Sequence, residues 1–352
     1  MKILITGNMG YVGPTVVERL RREYPDARLV GFDMGYFAHC LSGVAAFPER
    51  RLDAQIIGDV RTIGPELLEG VDAIVHLAAI SNDPMGNAFE ALTAEVNQAA
   101  SVRLAQLAKR AGVRRFVFAS SCSMYGAAES RPRVEHDPLN PLTAYARSKV
   151  GTEGALREIA GDGFVVTALR FATACGMSAR LRLDLVLNDF VAGAMASKEI
   201  SILSDGTPWR PLIHVQDMAR AIEWAIGRDV GQGGAFLAVN VGADEWNYQV
   251  RELAEAVARG VPGVRISINP HAPPDKRSYR VSFDLFRRLA PRHQPQVDLS
   301  EAIEGLKDGL AGMGFRDPEF RSSGFIRLRV LARLRALGEL NERFEWVRQA
   351  AA

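Results

Sequence analysis

Tyr145 and Lys149 have the types and the spacing of an acid–base pair. They stand four residues apart at the start of a predicted helix, so both side chains lie on one helix face. The ammonium group of Lys149 would lower the pKa of the phenol, ordinarily about 10, and could also hold a ribose hydroxyl. Ser121, at the end of a predicted strand, would hydrogen-bond the same substrate oxygen. The three side chains predict a site that interconverts an alcohol and a ketone beside a nicotinamide.

Three glycines, Gly7, Gly10 and Gly13, follow a short apolar strand (residues 3–5) in the spacing G-x-x-G-x-x-G. Gly7 permits the turn, Gly10 lets the backbone approach a pyrophosphate, and Gly13 lets the next helix pack on the strand. The first amide groups of that helix form an anion site. Alone, the spacing also fits a strand-to-helix turn that binds nothing.

Two acidic residues at strand ends extend the prediction of a dinucleotide site. Asp33 stands twenty positions after Gly13, where a carboxylate can accept both ribose hydroxyls of an adenosine. NAD is favoured over NADP because a 2′-phosphate would be repelled; a helix cap or loop acid is the alternative. Asp59 would reach the adenine edge, unless it is only a turn aspartate. The predicted NAD-binding residues are Gly7, Asn8, Met9, Gly10, Tyr11, Val12, Gly13, Asp33, Asp59, Val60, Leu77, Ala78, Ala79, Asn97, Ser120, Tyr145 and Lys149.

Buried strands alternate with helices through the first half of the chain. Predicted strands cover residues 3–5, 28–33, 55–59, 73–79, 115–121 and 164–171, and predicted helices cover 15–24, 88–111 and 145–159. This alternation predicts an α/β fold, a doubly wound parallel Rossmann sheet with helices on both faces.

The pattern changes after Gly176, where glycine and proline become denser. A smaller lobe is predicted there, with helices over 180–196, 216–227 and 247–258 and strands over 200–203 and 211–215. It would lie over the carboxyl edge of the sheet, where ligands of open α/β folds bind. The predicted regions are an NAD-binding domain (1–176, with returns around 212–245), mainly a substrate-binding lobe (177–315) and a helical tail (316–352).

The tail carries an amphipathic pattern over residues 324–338. Leu328, Leu331, Leu334 and Leu337 share one helix face, with five arginines in or near the segment. A helix docked on the body of the protein is the preferred interpretation. A subunit contact and a lid over an anionic ligand are the alternatives.

The composition is that of an ordinary globular chain. Its 352 residues are 47% hydrophobic, and 43 basic against 41 acidic side chains leave a net charge of +2. This balance gives no general argument for nucleic-acid or membrane binding. Cys40, Cys122 and Cys175 lack a C-x-x-C spacing, so neither a disulfide framework nor a metal site is expected. Because no export-signal pattern or membrane-spanning apolar run is seen, the cytoplasm is the expected compartment.

Six motifs over roughly residues 1–285 carry a family resemblance: TGNMGYVG, HLAA, SSCSMYG, YARSK, LRFATACG and GTPWRPLIHVQD. With them the chain resembles the extended short-chain dehydrogenase/reductase family, and within it the nucleotide-sugar epimerases and dehydratases. The resemblance implies a bound NAD, a nucleoside diphosphate sugar in the C-terminal lobe, and Tyr145, Lys149 and Ser121 as the catalytic triad. It also implies that Arg210 neutralises the substrate diphosphate, whose oxygens suit a planar guanidinium.

Several positions depart from the family pattern. Cys122 and Ser123 stand where 4,6-dehydratases carry Asp-Glu, so no carboxylic acid is there to protonate a leaving hydroxyl. Dehydration is therefore disfavoured, and so is decarboxylation, whose enzymes keep the glutamate. Thr173 replaces a frequent asparagine, and Pro211 replaces the aspartate after the family's arginine. The predicted substrate contacts are Ser81, Asn82, Thr173, Asn188, Arg210, Arg277 and Tyr279, with Asp275 and Arg280 either further contacts or parts of a solvated loop.

The preferred function is an NAD-dependent epimerase of a nucleoside diphosphate sugar, acting most simply at C4. If a neighbouring stereocentre is inverted by enolisation instead, Cys122 or Ser123 would be the second proton carrier, although Cys122 also fits a small buried thiol. The alternatives are a reductase or dehydrogenase of a nucleotide-linked keto sugar and a non-catalytic dinucleotide sensor. The resemblance further implies a homodimer through the helices 88–111 and 145–159.

Overall fold

A parallel sheet and a smaller second layer position the predicted site. The computed structural model of the protein describes residues 1–81, 83–127, 131–161, 163–268 and 277–347. The strands are β1 (Lys2–Thr6), β2 (Arg28–Asp33), β3 (Ala54–Ile57), β4 (Ala73–His76), β5 (Arg115–Ser121), β6 (Val165–Phe171), β7 (Thr173–Cys175), β8 (Glu199–Ile202), β9 (Trp209–His214), β10 (Phe236–Val241), β11 (Asn247–Gln249) and β12 (Arg265–Ile268). The helices are α1 (Gly13–Glu23), α2 (Asp83–Ala88), α3 (Glu90–Thr93), α4 (Ala100–Arg110), α5 (Ala144–Ile159), α6 (Val186–Ser197), α7 (Val215–Gly227), α8 (Val250–Gly260), α9 (Asp284–Leu289), α10 (Leu299–Gly312) and α11 (Arg327–Ala336). Among the described residues, no helix has the length and apolar character needed to cross a membrane.

The main sheet has seven parallel strands in the order β10-β6-β5-β4-β1-β2-β3. Lys2 pairs with Arg28 across β1 and β2, and Ile3 pairs with Ala73 across β1 and β4. Ile3 and its neighbour Leu4 are both fully buried, in apolar clusters on opposite faces of the sheet. Helices cover both faces because strands of this kind expose apolar side chains in both directions. The predicted doubly wound α/β sheet is confirmed.

A smaller layer follows β6. It contains a three-stranded sheet in the order β11-β9-β7 and the parallel pair β12–β8. Helix α6 packs against β8, α8 and α10, while α7 and β10 return to the main sheet. The division of the chain at residues 176 and 315 stays a prediction.

Three predicted helices differ from the observed elements. The predicted helix 88–111 is interrupted at Phe89, where φ is −136°, and by a π-helical segment, Ala94–Ala99. The predicted helix 180–196 begins only at α6, because the residues before it form irregular backbone whose buried arginines pair with acids. The predicted helix 247–258 starts as β11, and the helix α8 begins after a capping box of Gln249 with Glu252.

Helix α11 docks on the body of the protein, as the sequence predicts. Leu331 and Leu334 are buried in an apolar cluster that includes Cys40. Leu337 lies beyond the end of the helix and is 60% exposed, so its predicted place on the apolar face is wrong. Arg327, in contrast, is only 1% exposed.

His76 at the end of β4 makes the stability of the fold depend on pH. Its ring lies between the hydroxyls of Thr6 (2.6 Å from Nδ1) and Ser101 (2.7 Å from Nε2), and burial lowers its pKa from 6.5 to about 3. Between these values the unfolded chain binds a proton that the folded chain does not, so stability is lost as the pH falls below 6.5. In His76→Gln, the slope of unfolding free energy against pH, measured with urea from pH 6 to 4, should drop by about 1.4 kcal/mol per unit.

The control is His136→Gln, because His136 is exposed. It should leave the slope unchanged. An unaltered slope in His76→Gln would show that His76 is not the source of the acid sensitivity.

Candidate active site

The carboxyl ends of the main-sheet strands line a cavity of about 750 Å³. It is lined by Gly7 after β1, Asp33 at the end of β2, Leu77 after β4, Ser121 at the end of β5 and Phe171 at the end of β6. Parallel strands bring these ends to one edge of the sheet, which is where open α/β folds bind ligands. Across the described ranges, no three His, Cys, Asp or Glu side chains come together as a metal site.

The glycine-rich loop has no room for side chains where it meets the sheet and α1. Gly7 has φ +77°, and a Cβ there would lie 2.5 Å from the backbone nitrogen of Ala78. A Cβ on Gly13 would lie 2.0 Å from the carbonyl oxygen of Asn8. Gly10 faces the cavity itself. This close-packed turn at the start of a helix fits the pyrophosphate of a dinucleotide.

Asp33 is fixed at the edge of the cavity by backbone amides. Its carboxylate accepts hydrogen bonds from the amides of Met9 (3.0 Å) and Gly35 (2.8 Å). Burial raises its pKa despite these two bonds. The position fits the ribose of an adenosine, and Asp59, paired with Arg61 at 2.5 Å, lies on the same cavity.

Most of the predicted NAD-binding residues line this cavity, but three do not. Those on its wall are Gly7, Gly10, Tyr11, Val12, Gly13, Asp33, Asp59, Val60, Leu77, Ala78, Ala79, Ser120, Tyr145 and Lys149. Asn8 donates instead to the side chain of Gln55 (2.6 Å), and Met9 contributes its amide to Asp33. Asn97 is 1% exposed, and its side-chain amide accepts from the backbone N–H of Ile80 and donates to the carbonyl oxygen of the same residue. These three residues therefore brace the loops of the cavity from behind.

Helix α5 carries Tyr145 and Lys149 into the cavity. Thr143 caps the helix by accepting a hydrogen bond from the amide of Ala146 (3.1 Å). Tyr145 is hydrogen-bonded to Ser121. Ser121 in turn donates to the hydroxyl of Ser123 at 2.9 Å, so one chain of hydroxyl groups ends at the phenol.

The protonation of this pair differs from the sequence-based expectation. Burial raises the pKa of Tyr145 to about 12, and the groups that act against this rise are Ser121 and Arg182. Lys149 donates to the carbonyl oxygen of Ala119 (2.7 Å), with its ammonium 5.5 Å from the centre of the tyrosine ring. Burial lowers the pKa of Lys149 to about 7. The positive charge that lowers the pKa of the phenol is therefore that of Arg182, where the sequence prediction had assigned this role to Lys149.

Cys122 does not reach the cavity. It is fully buried, and its thiol donates to the carbonyl oxygen of Arg170 (3.1 Å). Burial raises the thiol pKa, so the group is poorly suited to proton transfer. The structure therefore favours the alternative interpretation of Cys122, a small buried thiol, over a second proton carrier. Ser123, the other candidate for that role, does line the cavity.

Some of the predicted substrate contacts line the cavity and others do not. Ser81, Thr173, Arg210, Arg277 and Tyr279 line the cavity. Asn188 is fully buried, and its side chain binds the amide of Gly176 (2.9 Å) and the hydroxyl of Tyr11 (3.0 Å), so it supports the wall and does not face a ligand. Asn82 and Asp275 lie outside the described residues.

Several charged residues of the cavity are missing from the sequence prediction, among them Arg182, Asp184 and Asp83. Arg182 and Asp184 form a buried pair at 2.8 Å, and Arg182 also donates to the hydroxyl of Ser81 (2.9 Å). Asp83 accepts from Thr143 (2.6 Å) and pairs with Arg277 (2.9 Å). The Arg182–Asp184 pair was not predicted because a helix was expected over 180–196, and residues two apart do not face each other in a helix. The R-x-D spacing in an extended segment is the signal that could have found it.

The chain matches the NAD dependent epimerase/dehydratase family over residues 3–242. It is 29% identical over 317 residues to the UDP-glucose 4-epimerase of Mycolicibacterium smegmatis, covering 86% of this chain and 96% of that protein. It is 25% identical over 316 residues to the dTDP-glucose 4,6-dehydratase of Actinoplanes sp., covering 86% and 95%. The structure of MoeE5 in complex with UDP-glucose and NAD has the same fold, with a TM-score of 0.74, 24% identity, and coverage of 88% and 99%.

The family match covers the glycine-rich loop, the strand ends and the Tyr145–Lys149 pair that meet in the cavity. The relatives include both epimerases and dehydratases, so likeness alone gives the family and the cofactor without the reaction. The chain belongs to the NAD dependent epimerase/dehydratase family, the nucleotide-sugar group of the extended short-chain dehydrogenases/reductases, and NAD is its cofactor.

Proposed function

We propose that this protein is an epimerase that inverts a nucleoside diphosphate sugar, most simply at C4, through a transient keto sugar. The observation that carries the proposal is the composition of the cavity wall around Tyr145. It offers the phenol and the hydroxyls of Ser121 and Ser123, with no carboxyl group at residues 122 and 123. One acid–base group is enough for an epimerase of this kind, because the same group removes and returns the hydroxyl proton.

Tyr145 would act as the base toward the sugar hydroxyl, and Ser121, which lies beside the phenol, would hydrogen-bond the same sugar oxygen. The glycine-rich loop and Asp33 would hold NAD, which would supply reversible hydride transfer with the sugar. The positive charge of Arg182 and the hydrogen bond of Ser121 both favour the phenolate. Tyr145 then returns the proton after the keto sugar has turned over in the cavity.

Arg210 and Arg277 are proposed to hold the substrate diphosphate. Both line the cavity, and Arg210 donates to the backbone carbonyl oxygens of Trp209 (2.9 Å) and Arg277. Those bonds orient its guanidinium, whose planar fork can pair with two phosphate oxygens. A fixed diphosphate leaves the sugar ring free to present either face to the hydride.

Dehydration is the main competing reaction, since dehydratases are among the relatives. The carboxylate of Asp83 lines the cavity but already accepts from Thr143 (2.6 Å) and pairs with Arg277 (2.9 Å). An acid that must protonate a leaving hydroxyl needs a proton to give. Both oxygens of Asp83 instead accept from the protein, Oδ1 from the hydroxyl of Thr143 and Oδ2 from the guanidinium of Arg277, so neither is directed at a sugar hydroxyl.

The proposal predicts that freshly purified protein carries stoichiometric NAD and converts a UDP- or dTDP-linked hexose to its C4 epimer without added dinucleotide. The released small molecule is identified by absorbance and mass, and the sugar product by NMR. An epimer that forms with no net change in NADH supports the proposal.

Other results would contradict it. Empty protein that turns over only with added dinucleotide would indicate a keto-sugar reductase or dehydrogenase. A product that has lost water would indicate a dehydratase. NAD binding without hydride exchange with any sugar would indicate a sensor.

A homodimer through α4 and α5 is also proposed, on the family resemblance. These two helices pack against each other in the chain, which would give a four-helix contact in a dimer. Light scattering that returns the mass of a single chain would rule this out.

A further inference from the structure

Three buried arginines meet at the wall of the cavity that faces α11. Arg180, Arg182 and Arg327 are 0%, 7% and 1% exposed, and we call them the arginine cluster. Arg327 comes from the first turn of α11 and donates to the carbonyl oxygen of Arg180 (2.7 Å). Arg182 and Arg327 both line the cavity.

The acids around the arginine cluster compensate two of its three charges. Arg180 pairs with Glu49 at 2.6 Å, and Arg182 pairs with Asp184 at 2.8 Å. Among the described residues, Arg327 donates only to backbone carbonyl oxygens, those of Arg180 and of Gly324 (3.2 Å), and its buried Nε has no hydrogen-bond partner. The charge of Asp184 acts on Arg327 as well as on Arg182, but within the described part of the chain no acid is in ion-pair contact with Arg327. The three arginines of the cluster therefore share two acids, which leaves an excess positive charge.

Such a charge is costly, because a buried ion without a partner loses its hydration. Burial lowers the pKa of the Arg327 guanidinium to about 10, which leaves it charged at neutral pH. Its flat face lies over the ring of Phe37, 4.8 Å from the centroid, so the side chain has one defined orientation. A buried, oriented and uncompensated guanidinium at a cavity wall is suited to an anion that enters the cavity.

The contacts of Arg327 connect it to the dinucleotide part of the cavity. Phe37 belongs to the segment that follows Asp33 at the end of β2. Ser178 connects Arg180, which contacts Arg327, to the glycine-rich loop. Its hydroxyl accepts a hydrogen bond from the amide of Arg180 (3.2 Å) and donates one to the carbonyl oxygen of Tyr11 in that loop (2.6 Å). The anion of a dinucleotide in this part of the site is its pyrophosphate.

We propose that Arg327 is an anion-binding residue for the NAD pyrophosphate, so that the C-terminal helix helps to retain the cofactor. The inference deepens the proposed function, because an epimerase keeps its dinucleotide between half-reactions. Segment 340–347 is held over the same side of the cavity by two hydrogen bonds. Tyr36 donates to the carbonyl oxygen of Phe344, and Trp346 donates to the carbonyl oxygen of Met34 (2.7 Å). Phe344 lines the cavity as well.

The test replaces Arg327 with methionine, which keeps the packing over Phe37 and removes the charge. Labelled NAD on the full-length holoenzyme is chased with excess unlabelled NAD. Losing one partner of a buried charge contact should speed release by about 30-fold or more. Arg329→Met, an exposed arginine two positions along α11, is the matched control and should release NAD at the wild-type rate.

A second measurement separates binding from a structural role. Without dinucleotide, Arg327→Met should unfold at the wild-type temperature or above it, because an uncompensated charge has been removed. With NAD it should gain less stability than wild type does. A variant that loses the same stability with and without NAD would overturn the proposal, and so would a release rate within threefold of wild type.

UDP binding distinguishes the two diphosphates that could enter the cavity. UDP affinity, measured by calorimetry, should be the same in Arg327→Met and wild type. A loss of UDP affinity with unchanged NAD release would assign the residue to the substrate and overturn the proposal. Because none of these readouts needs sugar turnover, they stand apart from the test of the epimerase reaction.

Discussion

Tyr145→Phe is expected to lower kcat by about 10²–10⁴-fold while the protein keeps its NAD. The substitution removes only the phenolic oxygen, which is the group proposed to exchange a proton with the sugar hydroxyl. The ring continues to fill its place on α5, so the helix and the glycine-rich loop should be unaffected. Turnover is measured with the best nucleotide sugar, and NAD content is measured on the purified variant.

The matched control is Tyr24→Phe. Tyr24 follows α1 as its C-cap and is half-buried, away from the cavity wall. It should keep wild-type kcat. Undiminished activity in Tyr145→Phe would remove the residue from the catalytic role, and a loss of NAD in parallel with activity would show that the hydroxyl serves binding.

The second large effect is expected in the stability of the protein when Glu153 is replaced by alanine. Its carboxylate pairs with the Arg170 guanidinium at 2.7 Å and accepts from Ser120 at 2.5 Å, with both charged side chains at most 5% exposed. The arginine would be left as a buried charge, which costs about 3–5 kcal/mol. Urea unfolding at neutral pH gives the difference.

Two further variants sharpen this result. Glu158→Ala, at an exposed position of the same helix, should change the free energy of unfolding by less than about 0.5 kcal/mol. The double variant Glu153→Ala with Arg170→Met should be more stable than Glu153→Ala alone, because no unpaired charge remains. If Glu153→Ala costs under about 1 kcal/mol, the pair is not acting as a buried ion pair.

Six of the seven strands of the main sheet were predictable because their residues are mostly apolar, whereas no bounds were predicted for β10. Five of the six predicted runs fall within two residues of the observed bounds at both ends, and the run 73–79 correctly begins at β4 but extends past it. The prediction was weakest where burial depends on pairing. Residues 180–185 were predicted to begin a helix, yet they form irregular backbone whose two arginines and one aspartate are buried or nearly so through ion pairs.

Within the site, too, the prediction was weakest for polar residues whose partners lie in the protein itself. Asn8, Asn97 and Asn188 are polar residues near predicted ligand positions, but each spends its hydrogen bonds on the protein. Cys122 directly follows Ser121, and the strand-to-turn geometry directs its side chain into the core. Spacing along the chain cannot tell these residues from Ser121 and Ser123, because the direction of a side chain after a strand depends on the local turn.

The sequence by itself determined the fold class, the family and the cofactor of this protein. A repeated strand–helix pattern forces a parallel sheet, and a parallel sheet brings the glycine-rich loop, Asp33 and Ser121 to one edge. The tertiary structure decided which polar residues face the cavity and which brace it. It also brought Arg327 against Arg180, 147 positions apart in the chain, with no acid of the described residues in ion-pair contact with it. Such compensation of charge depends on contacts between distant segments, and it is therefore a property of the folded chain and not of any local pattern.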